Sequence, residues 1–167
     1  MYIEALGIKE HFIIFETLNE GDKEMISLWR YSKDLEGFNY ALEKGGWLDC
    51  YCMSNDSQCY VAKKDFNIIG VFLFIPSRDN EFRILINPSF LSQGYGKILT
   101  IEAFKIAFES LKLESISLIV RQTHLVAISL YKKMGFIMSG EVKELTNGKE
   151  MAFFKMKKTN EMRKKLI

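Results

Sequence analysis

The length, composition and charge of this chain are those of an ordinary globular protein: 167 residues, 48% hydrophobic and 26% charged side chains, and a formal net charge of +2. A chain of this size fits one domain over residues 1–167 with a full core, and its charge balance predicts no DNA or other polyanionic partner. The longest apolar run, residues 68–75, is far shorter than the roughly 20 residues of a membrane helix, and no signal-peptide pattern opens the chain, so we expect a cytoplasmic protein without a membrane partner.

The N-terminal part of the chain predicts a strand followed by a helix. Residues 12–16 are typical of a strand, and Asn19 or Gly21 opens the helix. The apolar side chains of this helix recur on one face, at Met25, Leu28 and Trp29.

A second short helix and a hairpin are predicted next. Residues 38–42 form the helix, Gly45-Gly46 ends it, and the region that follows, as far as Ser57, is loop-like. Two apolar runs, residues 59–63 and 68–75, then predict a hairpin that turns around Asp65.

The central part of the chain predicts a strand, a glycine turn, a helix and a return strand. The strand covers residues 81–86, and Gly94 and Gly96 stand just before the helix. Because glycine has no Cβ, backbone amides there can approach an anion, and the first helical turn directs unpaired N–H groups the same way, with Lys97 adding charge. The alternative to an anion-binding turn is an ordinary tight turn between the strand and the helix. The apolar positions of the helix and of the return strand are Ile101, Phe104, Phe108 and Leu111, then Ile116, Leu118 and Val120.

The C-terminal part predicts a helix and a closing hairpin. The helix begins near His124 and ends at Gly135. Two strands follow, residues 136–142 and 150–157, around a turn at Asn147-Gly148. The complete predicted order is therefore β-α-α-β-β-β-α-β-α-β-β.

Two further features have competing interpretations. Three cysteines, Cys50, Cys52 and Cys59, lie close together in the sequence and could suggest a zinc site. Structural zinc needs four ligands, however, and both histidines, His11 and His124, are distant in the sequence. We therefore expect reduced thiols and no metal. The C-terminus concentrates basic residues, which predicts a solvated, frayed tail from about residue 158 or, less simply, a contact to RNA or a nucleotide substrate. These residues are Lys155, Lys157, Lys158, Arg163, Lys164 and Lys165.

Two motifs make the chain resemble a known family. The run Ala127-Ile128, Leu130-Tyr131, Lys133 and Gly135-Phe136 resembles the second conserved motif of the GNAT superfamily of acyl-CoA-dependent N-acyltransferases. The glycine turn, from Pro88 to Gly96, resembles the pyrophosphate loop of the same family. The resemblance implies an α/β fold with a mixed, mostly antiparallel central sheet and helices on both faces.

The chain departs from the family pattern at three positions. Leu91 replaces the usual Arg or Gln of the loop, Ser92 replaces a glycine, and His124 replaces an Asn that often opens the second motif. Ser92 or Gln93 remains to supply a polar side chain, and the backbone part of the loop is unaffected.

The resemblance implies transfer of the acetyl group of acetyl-CoA to a primary amine by direct attack in a ternary complex. Tyr131 is implied as the acid that protonates the leaving thiolate; the base is Glu81 or Glu16, or proton transfer runs through water. Residues implied in binding acetyl-CoA are Leu85, Ile86, Leu91, Ser92, Gln93, Gly94, Tyr95, Gly96, Lys97, His124, Ile128 and Lys133.

The acceptor is expected near the first helices, at Trp29, Arg30 and Tyr31. This segment resembles family branches that acetylate ribosomal-protein N-termini, polyamines or amino groups on nucleotide-linked sugars, and the three acceptors stay open. The alternative is a CoA-binding or interaction module of the same fold that lacks turnover. Either a monomer or a homodimer is compatible with the sequence.

Overall fold

The computed structural model describes residues 12–52, 58–146 and 148–161, and it contains a seven-stranded sheet. The strands pair in the order β1-β2-β3-β4-β5-β7-β6. Their bounds are β1 Ile13–Thr17, β2 Gln58–Lys64, β3 Asn67–Ile75, β4 Glu81–Ile86, β5 Ser115–Arg121, β6 Ile137–Thr146 and β7 Lys149–Thr159.

In the described part of the chain, four α-helices connect these strands, together with 3₁₀ helices and a π-helical turn. The α-helices are α1 Glu20–Ser27, α2 Trp47–Tyr51, α3 Tyr95–Lys105 and α4 Leu125–Lys133. The remaining helical segments are the 3₁₀ helices Lys33–Leu42, Pro76–Arg78 and Pro88–Phe90 and a π-helical turn, Ile106–Ser110, that continues α3. No helix in the described part of the chain is long and apolar enough to cross a membrane.

The sheet is mixed, as predicted. The pairs β1–β2, β5–β7 and β6–β7 are antiparallel, whereas β4 and β5 are parallel, with Glu81 opposite Ser117. A parallel pair needs a crossover, and α3 provides it. The predicted α/β class with a mostly antiparallel sheet is therefore confirmed.

Contacts divide the chain into two compact units, and the first comprises residues 1–73 and 84–99. Its core includes residues of β2, β3 and the start of α3. A Cβ at Gly70 would lie 2.4 Å from Leu99 Cδ2 and 3.0 Å from the Leu85 carbonyl oxygen, so Leu99 would have to shift to admit it. The core residues are Ala62, Ile69, Tyr95 and Leu99, with Ile13, Phe15, Ile84, Ile86 and Phe90 packed against them.

The second unit comprises residues 74–83 and 100–167, and its core contains a chain of aromatic rings. Phe82 contacts Phe74 and Phe104 with ring centroids 5.5 and 5.0 Å apart, and Phe136 contacts Phe104 and Tyr131 at 5.0 and 5.8 Å. Each such pair contributes about 0.5–1.5 kcal/mol beyond the area it buries. This core connects β4, α3 and α4 within the unit.

The predicted start of α1 is confirmed, but the predicted buried face is wrong. Asn19 caps the helix by accepting a 2.8 Å hydrogen bond from the Asp22 amide. Met25 and Leu28 are 59% and 77% exposed, whereas Asp22 and Ile26 are buried. The buried face carries the apolar Ile26, and Lys63 Nζ on β2 lies 3.0 Å from the Asp22 carboxylate on the same side.

The region between α1 and β2 also differs from the prediction. The second helix is a 3₁₀ helix that begins earlier, at Lys33, and α2 occupies part of the segment expected to be loop-like. Trp47 and Leu48 of α2 are buried, but a five-residue helix is too short to show periodicity in the sequence. The end of that loop, residues 53–57, lies outside the described residues.

The other predicted strands and helices are confirmed within a few residues. Asn147 of the hairpin turn and residues 162–167 of the basic tail lie outside the described residues. At the start of that tail, β7 continues to Thr159 and Asn160 is buried. The Asn160 side-chain amide donates to the carbonyls of Phe108 and Leu113, which anchors this end of β7.

Candidate active site

The glycine turn forms an open loop between β4 and α3, within the first unit. Gly94 has φ = +85°, and a Cβ built there would meet no atom within 4 Å. At Gly96 the nearest atom would be Ile86 Cγ1, at 4.0 Å. The backbone before and within the first turn of α3 is therefore accessible, and an anion could approach the N–H groups that this turn leaves without helical partners.

The side chains of this loop have different environments. Ser92, Gln93 and Lys97 are exposed, and Leu91 is half-buried. Tyr95, in contrast, is buried: its hydroxyl accepts a 2.7 Å hydrogen bond from Lys64 Nζ, and its ring contacts Phe90. The Tyr95 side chain is thus part of the core, and only its backbone faces the loop opening.

Asn87 is a residue of this region that the sequence analysis missed. Its side-chain amide donates to the Ile68 carbonyl at 2.8 Å, and its Oδ1 accepts from the Ser89 amide at 2.9 Å. The backbone N–H of Asn87 donates to the Ile69 carbonyl at 2.9 Å. The Asn-Pro pair at 87–88 was the available signal, because Asn side chains commonly bond the backbone of a following turn.

The three residues predicted to bind the acceptor lie in three different environments. Trp29 is half-buried, and Arg30 is exposed and donates to the Ser27 carbonyl at 2.8 Å, at the end of α1. Tyr31 is only 5% exposed, and its hydroxyl donates a hydrogen bond to the backbone carbonyl of Ile86, at the end of β4. Burial raises the pKa of Tyr31 well above its usual value of 10.0, so the hydroxyl stays a donor at physiological pH.

The second unit carries further predicted binding and catalytic residues, on and around α4. Tyr131 packs against Phe136, and burial raises the pKa of Tyr131 to about 12. Within the part of the chain that the structure describes, no protein group forms a hydrogen bond with its hydroxyl. The hydroxyl is therefore both protonated at neutral pH and uncommitted. Ile128 is buried and Lys133 is exposed.

His124 stands at the N-terminal cap of α4 but makes no capping hydrogen bond with its side chain. Partial desolvation, with a smaller contribution from Arg121, lowers the pKa of His124 below its usual value of 6.5. The imidazole is therefore neutral at pH 7, and it can accept or donate one hydrogen bond without adding charge.

Both candidate general bases are ion-paired. Glu81 is buried in the second unit, where Arg83 and Arg78 contact its carboxylate. Glu16 lies in the first unit with its carboxylate 3.0 Å from Lys63 Nζ. In each carboxylate the cationic partners contact the same oxygen, Oε2. This arrangement favours structural roles for both residues.

The cysteines have no metal-binding neighbours in the described part of the chain, where no group of three or more potential ligands comes together. All three are free, Cys50 exposed and the other two buried. A hydrogen bond with Cys52, together with burial, raises the pKa of the Cys59 thiol far above its usual value. The Cys59 thiol therefore stays protonated.

Comparison with known proteins identifies the class to which this site belongs. The model of the acetyltransferase (GNAT) family matches residues 23–136, which include the glycine loop and α4. The chain therefore belongs to the GNAT family, and it is an acetyl-CoA-dependent N-acetyltransferase.

Particular relatives agree with this assignment. The chain is 28% identical over 137 residues to the acetyltransferase PseH of Campylobacter jejuni, covering 78% of this chain and 86% of the relative. Its fold is similar to a chimera of spermidine N-acetyltransferase SpeG from Vibrio cholerae and hSSAT, with a TM-score of 0.74, 23% identity, and coverage of 90% of this chain and 96% of the other. It is also similar to the Vibrio cholerae spermidine N-acetyltransferase in complex with CoA and spermine, with a TM-score of 0.72, 22% identity, and coverage of 89% and 96%.

Proposed function

We propose that this enzyme transfers the acetyl group of acetyl-CoA to a primary amine by direct attack in a ternary complex, and that both compact units belong to one acyltransferase domain. The observation that carries the proposal is the open backbone at Gly94 and Gly96, at the N-terminus of α3. Gly148 is equally open but lies in the β6–β7 turn, whereas Gly94 and Gly96 lie where the first turn of α3 leaves N–H groups without helical partners. The accessible backbone fits a pyrophosphate.

The cofactor would be held mainly by backbone groups. The N–H groups between Ser92 and Lys97 would bind the pyrophosphate, and the helix dipole and the exposed Lys97 add favourable charge. The three departures from the family pattern change side chains only, so they leave this backbone contribution intact. His124, neutral at pH 7, would contribute a hydrogen bond and not a charge.

Tyr131 would act as the general acid. The amine nitrogen forms a bond to the acetyl carbonyl carbon, the carbon–sulfur bond breaks, and Tyr131 donates its proton to the thiolate sulfur. A protonated and uncommitted hydroxyl suits this role. Because Glu81 and Glu16 are ion-paired, we propose that water removes the proton of the attacking amine.

The acceptor would approach Trp29 and Arg30. The aromatic face of Trp29 suits an ammonium group in equilibrium with its free amine. The solved relatives named for spermidine, one of them bound to spermine, support an amine acceptor of some kind. A polyamine, a protein N-terminus and a nucleotide-linked amino sugar each meet this description.

An acceptor panel tests the proposal. Acetyl-CoA binding is first measured by calorimetry, and thiol release from acetyl-CoA is then followed with spermidine, an N-terminal ribosomal-protein peptide and a nucleotide-linked amino sugar. We expect saturable thiol release with at least one of them and acetylated product by mass spectrometry. Binding of acetyl-CoA without turnover on any amine would support the alternative, a CoA-binding module.

A further inference from the structure

We propose that Tyr31 is a positioning residue for acetyl-CoA and does not bind the acceptor. This inference rests on the proposed function. Its basis is the peptide group between Ile86 and Asn87, where β4 ends and the chain turns toward the glycine loop. All of the residues involved lie in the first compact unit.

This peptide group is held at both of its polar atoms. The Tyr31 hydroxyl donates to the Ile86 carbonyl, and the Asn87 N–H donates to the Ile69 carbonyl on β3 at 2.9 Å. Because a peptide is planar, fixing its oxygen and its hydrogen also fixes the rotation of the whole group. The Tyr31 hydroxyl thus supplies one of the two hydrogen bonds that orient it.

Tyr31 is itself held rigidly. The Asn39 side chain bonds both backbone groups of Tyr31, accepting from its N–H at 2.7 Å and donating to its carbonyl at 2.9 Å. The Tyr31 ring makes an edge contact with Phe38, with centroids 5.6 Å apart. A side chain fixed at its backbone and its ring places its hydroxyl in one position, which is the property that a positioning residue needs.

The fixed peptide controls the entrance to the glycine loop. Asn87 continues the restraint through its side chain, which bonds the Ile68 carbonyl on one side and the Ser89 amide on the other. Release of the Ile86 carbonyl would let this peptide rotate and change the start of the loop. The proposed cofactor-binding backbone would then be correctly formed for only a fraction of the time.

The expected change in acetyl-CoA affinity follows from the population of the correctly formed loop. If loss of the Tyr31 hydroxyl lowers the binding-competent population to about one tenth, the apparent Kd for acetyl-CoA rises about tenfold. The acceptor KM should stay within about twofold, because the acceptor does not contact Tyr31 in this view. Loss of a residue that binds the acceptor would instead raise the acceptor KM and leave the acetyl-CoA Kd unchanged.

The experiment compares Tyr31→Phe, which removes only the hydroxyl, with two other variants. Tyr60→Phe is the matched control, since it removes a tyrosine hydroxyl of the same unit that donates to Gln58 on its own strand. Asn39→Ala removes the hydrogen bonds that hold the Tyr31 backbone but leaves the Tyr31 side chain unchanged. If Tyr31→Phe fails to fold, Asn39→Ala is used to test the inference in its place. Acetyl-CoA Kd is measured by calorimetry, and acceptor KM and kcat by thiol release.

Hydrogen exchange of the Asn87 amide gives a readout that does not depend on the ligand. We expect faster exchange at this amide and a weaker acetyl-CoA Kd in Tyr31→Phe and Asn39→Ala, with both quantities unchanged in Tyr60→Phe. Unchanged exchange and Kd in Tyr31→Phe would overturn the inference, as would a raised acceptor KM with unchanged Kd. If the unmodified protein binds no acetyl-CoA, the proposed function fails, and the exchange rates still decide the role of Tyr31 in fixing the peptide.

Discussion

Both the Nε and the Nη2 of Arg83 lie 2.7 Å from one carboxylate oxygen of Glu81, at the buried start of β4. Arg78 approaches the same oxygen, with its Nε at 3.4 Å. Glu81 and Arg83 are two residues apart on one strand, so their side chains project from the same face. The Glu81 carboxylate, a candidate general base from the sequence, is thus part of a charged cluster with Arg78 and Arg83.

Glu81→Gln should therefore lower stability much more than activity. Removing one partner of a buried ion pair costs about 3–5 kcal/mol, because it leaves the other charge without compensation. We expect a loss of about 3 kcal/mol in the free energy of unfolding, with kcat within about fivefold of the parent. Urea unfolding and thiol release measure the two quantities.

Glu144→Gln is the matched control for this prediction. Glu144 pairs with Arg78 in the same unit, but both side chains are partly exposed, at 29% and 40%. An ion pair of that kind contributes at most about 1 kcal/mol. A stable Glu81→Gln protein whose kcat falls by several hundredfold would instead identify Glu81 as the base.

Gly94→Asp should weaken acetyl-CoA binding by more than about tenfold, or about 1.4 kcal/mol. The substitution places a side chain and a negative charge in the space proposed for the pyrophosphate. Gly148→Asp is the control, because Gly148 also has a positive φ, +75°, and open space around its Cβ position, but lies in the β6–β7 turn. Calorimetry on both folded variants gives the comparison, and equal affinities would contradict the assignment of the loop.

Tyr131→Phe should reduce kcat by roughly 10- to 1000-fold, the usual consequence of losing one acid–base group, while the acetyl-CoA Kd changes only a few fold. Phenylalanine keeps the ring contact with Phe136 and removes the hydroxyl, so the fold should be unaffected. Steady-state kinetics and calorimetry provide the two numbers. Full kcat in this variant would exclude Tyr131 from the mechanism.

The pH dependence of kcat offers a separate test of the same residue. Burial raises the pKa of Tyr131 to about 12, so its hydroxyl keeps the proton that the thiolate needs well above neutral pH. We expect kcat to show no decline from tyrosine ionisation up to about pH 10.5. A falling limb with its midpoint near pH 10, present in the parent and absent from Tyr131→Phe, would show that the tyrosine is not shielded from solvent.

Trp29→Ala should raise the acceptor KM severalfold while leaving the acetyl-CoA Kd unchanged. Trp29 is half-buried, so melting temperature is measured alongside the kinetics. A parallel Leu28→Ala variant serves as control, because Leu28 is an adjacent, largely exposed apolar side chain. Equal damage to acceptor KM and acetyl-CoA Kd in Trp29→Ala would indicate a fold defect and not an acceptor site.

Local sequence patterns were sufficient for much of the fold. Alternating apolar residues marked β5, and glycines marked the start of α3 and the end of α4, where Gly135 takes φ = +94°. These features depend on short-range properties: side-chain periodicity and the conformational freedom of glycine. The two motifs that carry the family resemblance lie in the same segments.

Tertiary structure decided what those patterns leave open. Periodicity shows that a face is buried but not what covers it, and no local pattern records that Asp22, on the buried face of α1, pairs with Lys63 of β2. In the same way, Tyr31 and Ile86 are 55 positions apart in the chain, and no local pattern records their hydrogen bond. The placement of β7 between β5 and β6 is a third such feature. Each depends on contacts between distant residues, which form only when the whole chain folds.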